Sequence, residues 1–65
     1  MQLTKRQQQI ISTSANIIAQ HGVKGLTVKA IASEMKLTEP ALYRHFSKKQ
    51  DILQTLIECY GEILQ

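Results

Sequence analysis

Tyr43, Arg44 and His45, followed by Lys48 and Lys49, put a phenol, a guanidinium, an imidazole and two ammonium groups within seven positions. Such groups donate hydrogen bonds to phosphate oxygens. Catalysis finds much less to stand on. The chain has no G-x-S-x-G, no glycine-rich phosphate loop, and a single cysteine, Cys59, with no histidine near it in sequence. His21, His45 and Cys59 lack the clustered spacing of a zinc site. We therefore expect no enzyme, no metal and no cofactor, and read Cys59, beside the apolar side of the last helix, as a packing residue.

These side chains need a scaffold, and local signals supply one. Thr38 is a good N-cap, Pro40 falls in the first helical turn where its missing N–H costs nothing, and Leu37 and Leu42 form a hydrophobic staple. At ~100° per residue Leu42 and Phe46 share one side, Pro40 and Arg44 point roughly opposite, and Ala41 and Tyr43 flank them. A helix this short is not stable alone. Something must hold it by Leu42 and Phe46, which pushes Tyr43 outward and leaves Pro40, Ala41, Tyr43, Arg44 and His45 free for a partner.

Upstream, Thr27 caps a second short helix with Leu26 and Ile31 as its staple, and Val28, Ile31, Ala32 and Met35 share one face. The pattern breaks at Lys36 and restarts at Leu37-Thr38. Two short helices joined by about three residues are a helix-turn-helix. A longer first helix opens with the capping box Thr4-x-x-Gln7 and repeats Ile10, Ile11, Ser14, Ile17, Ile18, His21 along one face. Gly22 stands where a left-handed cap is wanted, with Val23 packing back and His21 as a partner for the helix dipole. Ser47 with Gln50 opens a fourth helix carrying Ile52, Leu53, Leu56, Ile57, Tyr60, Ile63 and Leu64, which Gly61 weakens by roughly 1 kcal/mol.

The expected fold is all-α: a small helical bundle with helices near 5–20, 28–34, 39–45 and 48–64, a homeodomain-like three-helix core plus the start of helix 4. The apolar face is still running where the sequence stops, so we expect either that the chain is a fragment or that helix 4 continues into a further domain.

Charge favours a polyanion. Residues 1–49 hold all eight Lys and Arg against Glu34 and Glu39, a net of +6, while residues 50–65 hold Asp51, Glu58 and Glu62 and no base, a net of −3. Lys48 and Lys49 in the first turn of helix 4 oppose its dipole, a conflict that a docked phosphate would remove. Thr27, Lys29, Thr38, Tyr43 and His45 add donors around the second helix of the helix-turn-helix, the element that enters the major groove. With no disulfide framework, no signal peptide and no apolar run near the ~18 residues of a membrane span, a reducing cytoplasmic setting without a membrane is expected. A helical module docking a protein through the Pro-Ala-Leu-Tyr-Arg surface is the competing reading.

The order Gly22…Leu26-Thr27…Ile31-Ala32…Leu37-Thr38…Pro40-x-Leu42-Tyr43-x-His45-Phe46-x-x-Lys49-x-x-Leu53 resembles the DNA-binding domain of the tetracycline-repressor-like (TetR) family of bacterial regulators. The resemblance spans about residues 5–60, and its L-Y-x-H-F-x-x-K core is specific. It implies a cytoplasmic, nucleoid-associated homodimer on a pseudo-palindromic operator of double-stranded DNA, usually a repressor. A C-terminal domain absent from this sequence would dimerise and bind a small-molecule inducer.

By the same resemblance Thr38, Glu39, Pro40 and Ala41 form the base-facing first turn of the recognition helix, with Arg44 able to reach a base or a phosphate. Thr27 resembles a phosphate-contacting cap, Lys29 a groove or backbone contact, and Tyr43, His45 and Lys49 the phosphate clamps. Lys48, placed by its position at the start of helix 4 rather than by the resemblance, completes the expected phosphate set. Two departures stand out. Lys36 occupies a turn position where the family usually has glycine, at a cost of roughly 1–2 kcal/mol if the turn stays left-handed. Glu39 brings a negative charge to the groove, where it could accept from a cytosine amino group.

Overall fold

The computed structural model describes residues 2–64, with side chains through residue 61. Four helices account for most of the chain: α1 Lys5–His21, α2 Val28–Met35, α3 Glu39–Tyr43 and α4 Lys49–Leu64, with a 3-10 turn at Val23–Gly25 between α1 and α2. No strand occurs among the described residues. The all-α bundle with a helix-turn-helix is borne out. α1 is the hub, packing on the 3-10 turn, α2 and α4, and α2 in turn packs on α3.

The molecule measures 30 × 27 × 17 Å. A helix with its side chains is about 10–12 Å across, so the shortest dimension holds fewer than two layers and the core is thin. Ile10, Ile11 and Ile17 of α1, Leu26, Ile31 and Ala32 around α2, Leu42 and Phe46, and Ile52 and Leu56 of α4 form that core. The buried residues of α1 and α4 recur three or four apart, as an amphipathic face requires, whereas α2 buries the adjacent Ile31 and Ala32 and α3 buries Leu42 alone. Ser14 is fully buried among them, and its hydroxyl donates to the Ile10 carbonyl at 2.8 Å, so its polarity is answered within its own helix.

Local capping explains where the helices begin. Thr4 Oγ1 accepts from the Gln7 N–H and Gln7 Oε1 accepts from the Thr4 N–H, both at 3.0 Å, a complete capping box. Thr27 Oγ1 accepts from the Ala30 N–H at 2.9 Å. α2 ends in a left-handed residue, Lys36, at φ 57° and ψ 39°. The Leu37 N–H reaches the Ala32 carbonyl at 2.8 Å and the Lys36 N–H the Ser33 carbonyl at 3.2 Å, the paired bonds of a Schellman ending. The turn thus keeps the geometry glycine would favour, on a lysine. We expect Lys36→Gly to stabilise the domain by about 0.5–1 kcal/mol, the relieved strain less the unfolded-state entropy of glycine. A thermal melt should rise by roughly 2–8 °C; a fall would show that the lysine side chain itself holds the turn.

Several expectations give way. Gly22 has φ 75° but ψ 174°, a positive-φ conformation other than the left-handed helical one. The chain leaves α1 extended there and coils into the 3-10 turn, so Val23 stays 61% exposed and Leu26 enters the core instead. His21 is exposed rather than part of the α1 face. Gly25 lies against α1, where a Cβ would sit 2.5 Å from His21 Cβ. Gly25→Ala must therefore shift helix or turn and should destabilise by about 1–3 kcal/mol in denaturant unfolding; an unchanged midpoint would mean that the turn yields freely.

Ser47 does not cap the last helix. Residues 47 and 48 bend to keep Phe46 in the core, α4 begins at Lys49, and the Asp51 N–H bonds the Lys48 carbonyl at 3.0 Å. α4 also breaks regularity at Tyr60 (φ −128°, ψ 23°), next to Gly61, whose backbone freedom suits a kink there. Ile57 is 61% exposed, being one residue and ~100° around from buried Leu56. Cys59 is a free, exposed thiol and not a packing residue. Ile63 and Leu64, expected to extend the apolar face, lie outside the described side chains.

Candidate nucleic-acid interface

α3 is five residues long and is organised by its ends. Thr38 Oγ1 accepts from the Ala41 N–H at 3.2 Å, and Pro40 sits in the first turn, where no intrahelical N–H is needed. At the other end the Arg44 N–H bonds the Ala41 carbonyl at 3.2 Å and the His45 N–H the Leu42 carbonyl at 3.0 Å. These i to i+3 bonds tighten the last turn, so the regular helix stops at Tyr43, two residues before the expected 45. The Phe46 N–H still reaches the Leu42 carbonyl at 3.2 Å, and both side chains are buried. The helix is held from behind by Leu42 and Phe46.

The front is open. Thr38, Glu39, Pro40, Tyr43 and Arg44 are exposed, Tyr43 to 44%. Ala41 and His45 are half-buried, so the expectation that both stand free needs correction. Ala41 lies on the flank of α3, where packing from the core side reaches around to it, and His45 lies in the turn after α3, beside Gln7 and the cleft at α4. Thr27 and Lys29, at the start of α2, and Lys48 and Lys49, at the start of α4, are exposed. Lys48 directly precedes α4 and Lys49 opens it. Asp51 supplies the acidic group of that first turn and already suits the dipole.

This surface offers donors. The Thr27 and Thr38 hydroxyls each accept one cap bond, which leaves the O–H hydrogen for a partner oxygen. Between residues 27 and 49 five bases, Lys29, Lys36, Arg44, Lys48 and Lys49, stand against Glu34 and Glu39, and all seven are exposed. The opposite sign collects elsewhere: a cleft of about 310 Å³ beside α4 is lined by Asp51 and Glu58 together with Leu3, Gln7 and His45.

Gln7 is the residue that sequence reasoning recognised only in part. Its Nε2 donates to the His45 carbonyl at 2.9 Å, across 38 residues of chain. The T-x-x-Q spacing pointed to its capping role, whereas the second partner is visible only once the chain has folded.

The family model for bacterial regulatory proteins of the tetR family matches residues 10–56, from the first core isoleucine of α1 to the last core leucine of α4. This chain belongs to the tetR family. The matched residues contain both helices of the helix-turn-helix, α2 and α3. Among curated relatives, the HTH-type transcriptional regulator YerO of Bacillus subtilis (strain 168) is 33% identical over 58 residues, 89% of this chain and 20% of the relative. The tetracycline repressor protein class C of Escherichia coli is 35% identical over 49 residues, 75% of this chain and 22% of the relative. The class A repressor from transposon 1721, also from Escherichia coli, is 35% identical over 49 residues, 75% of this chain and 23% of its own. The chain spans about a fifth of the length of these relatives. No solved structure matches it. Among the described residues no helix is long and apolar enough to cross a membrane.

Proposed function

We propose that this TetR-family chain reads an operator in double-stranded DNA by laying α3 in the major groove, as the N-terminal part of a homodimeric repressor. The observation that carries the reading is the two-sidedness of residues 38–49: Leu42 and Phe46 are buried, while Thr38, Glu39, Pro40, Tyr43, Arg44, Lys48 and Lys49 face outward. Thr38, Glu39, Pro40 and Ala41, with Arg44, take the base edges. Thr27, Lys29, Tyr43, His45, Lys48 and Lys49 take the phosphates on either side.

Relatives named tetracycline repressors support repression as the output; release by a small-molecule inducer, on a further C-terminal domain that also pairs two copies, is part of the same proposal. Such a dimer on a pseudo-palindrome places its two recognition helices about 34–36 Å apart. The reading places the protein in the cytoplasm at the nucleoid and gives it no catalytic role.

Salt dependence tests it. Lys29, Lys48 and Lys49 each neutralise a phosphate, so log affinity should fall against log salt with a slope of about −3 per protomer. A flat dependence would contradict the reading and favour a protein-docking module.

A further inference from the structure

Gln7 makes the one side-chain hydrogen bond among the described residues that joins elements far apart in sequence; the others span at most five residues. Both ends of its carboxamide are engaged. Oε1 accepts from the Thr4 N–H at 3.0 Å and Nε2 donates to the His45 carbonyl at 2.9 Å. A backbone N–H can only donate and a carbonyl can only accept, so the two partners fix which end is oxygen and which is nitrogen. The bond is part-buried, and the carbonyl it holds lies in the turn between α3 and the bend that leads to Lys48 and Lys49. Besides Gln7, that turn is defined by the backbone bonds of Arg44, His45 and Phe46 back to Ala41 and Leu42, and by the buried Phe46 side chain.

We infer that Gln7 is a positioning residue for DNA binding: by clamping the His45 carbonyl to the start of α1, it sets the 44–49 turn that carries His45, Lys48 and Lys49 to the phosphates. The inference rests on the DNA-binding reading above and adds a residue that does not itself touch DNA. The same amide places Lys5 and Arg6, in the first turn of α1, in fixed relation to those lysines. A backbone that wandered here would scatter donors that must meet phosphates together.

The two bonds of Gln7 can be separated by substitution. Gln7→Glu keeps an oxygen for the Thr4 N–H, and Glu is equally suited to a capping box, but a carboxylate cannot donate to His45. Gln7→Met removes both bonds without adding charge. Thr4→Ala removes the hydroxyl half of the box and leaves the tie to His45 intact. The probe is a duplex selected from a randomised pool by the wild-type protein, with affinity and thermal stability measured for every variant.

Gln7→Glu and Gln7→Met should each bind about five-fold more weakly or worse, the effect of one lost hydrogen bond. Thr4→Ala should bind within about two-fold of wild type while melting no higher than Gln7→Glu. The 45–48 backbone amides should exchange faster in Gln7→Glu while the α1 amides do not. Gln7→Met binding like wild type, or Thr4→Ala losing as much affinity as Gln7→Met, would overturn the assignment and leave Gln7 a cap. A wild-type protein that selects no duplex would instead overturn the DNA-binding reading, and the role of Gln7 with it.

Discussion

Leu42→Ala should abolish DNA binding by unfolding the domain, although Leu42 touches no DNA. It is 1% exposed and is the only buried residue of α3, the five-residue helix that presents Glu39 and Tyr43. Truncating a buried leucine costs about 2–5 kcal/mol. A core in a domain of this size supplies only about 3–5 kcal/mol, so the loss is comparable to the whole stability. We expect a melt that is broad or already begun at 25 °C and binding too weak to measure. Tyr43→Ala, one residue along and 44% exposed, should melt within a few degrees of wild type while binding more weakly. A cooperative Leu42→Ala melt near the wild-type midpoint would show that α3 is held by something other than its Leu42 and Phe46 side.

The second large effect separates reading from gripping. Glu39 opens α3 and is exposed; its carboxylate can accept from a cytosine amino group but is repelled by phosphates. Glu39→Ala should therefore change the preferred base at one position of a selected site, by about 1–3 kcal/mol. Ala41 presents a half-buried methyl on the flank of the same turn, so Ala41→Ser should likewise shift preference. Tyr43→Ala and Lys49→Ala should weaken every sequence alike, and Lys49→Ala should reduce the salt slope by about 0.9. Binding of all four variants to a randomised duplex library measures this. Uniform losses for all four would sink the division of roles.

The elements that sequence made legible are those whose causes are local. Thr4, Thr27 and Thr38 cap helices because a hydroxyl and an N–H three residues on are neighbours in the chain. The isoleucines and leucines at helical spacing report the core because one face must be buried. Departures arise where packing between elements decides. Val23 was displaced by Leu26 because the 3-10 turn reverses which residue points inward, and Ser47 lost its cap to the bend that buries Phe46.

At the candidate interface the same distinction holds. The outward face of α3 followed from Leu42 and Phe46 alone. The half-burial of His45 did not, because it depends on Gln7, 38 residues away, and on the cleft beside α4. Lys36 lies between the two cases. Its left-handed conformation follows from the Schellman ending, yet nothing in the structure explains why a lysine occupies it.

Mapping which backbone amides respond when a mixed-sequence duplex is added to the isotope-labelled protein addresses the central claim directly, since it needs no knowledge of the operator. We expect the shifts to gather on residues 27–29 and 38–49, and to fade as salt is raised. Shifts gathered instead on the acidic cleft and exposed side of α4, around Asp51, Ile57 and Glu58, would contradict DNA recognition by α3.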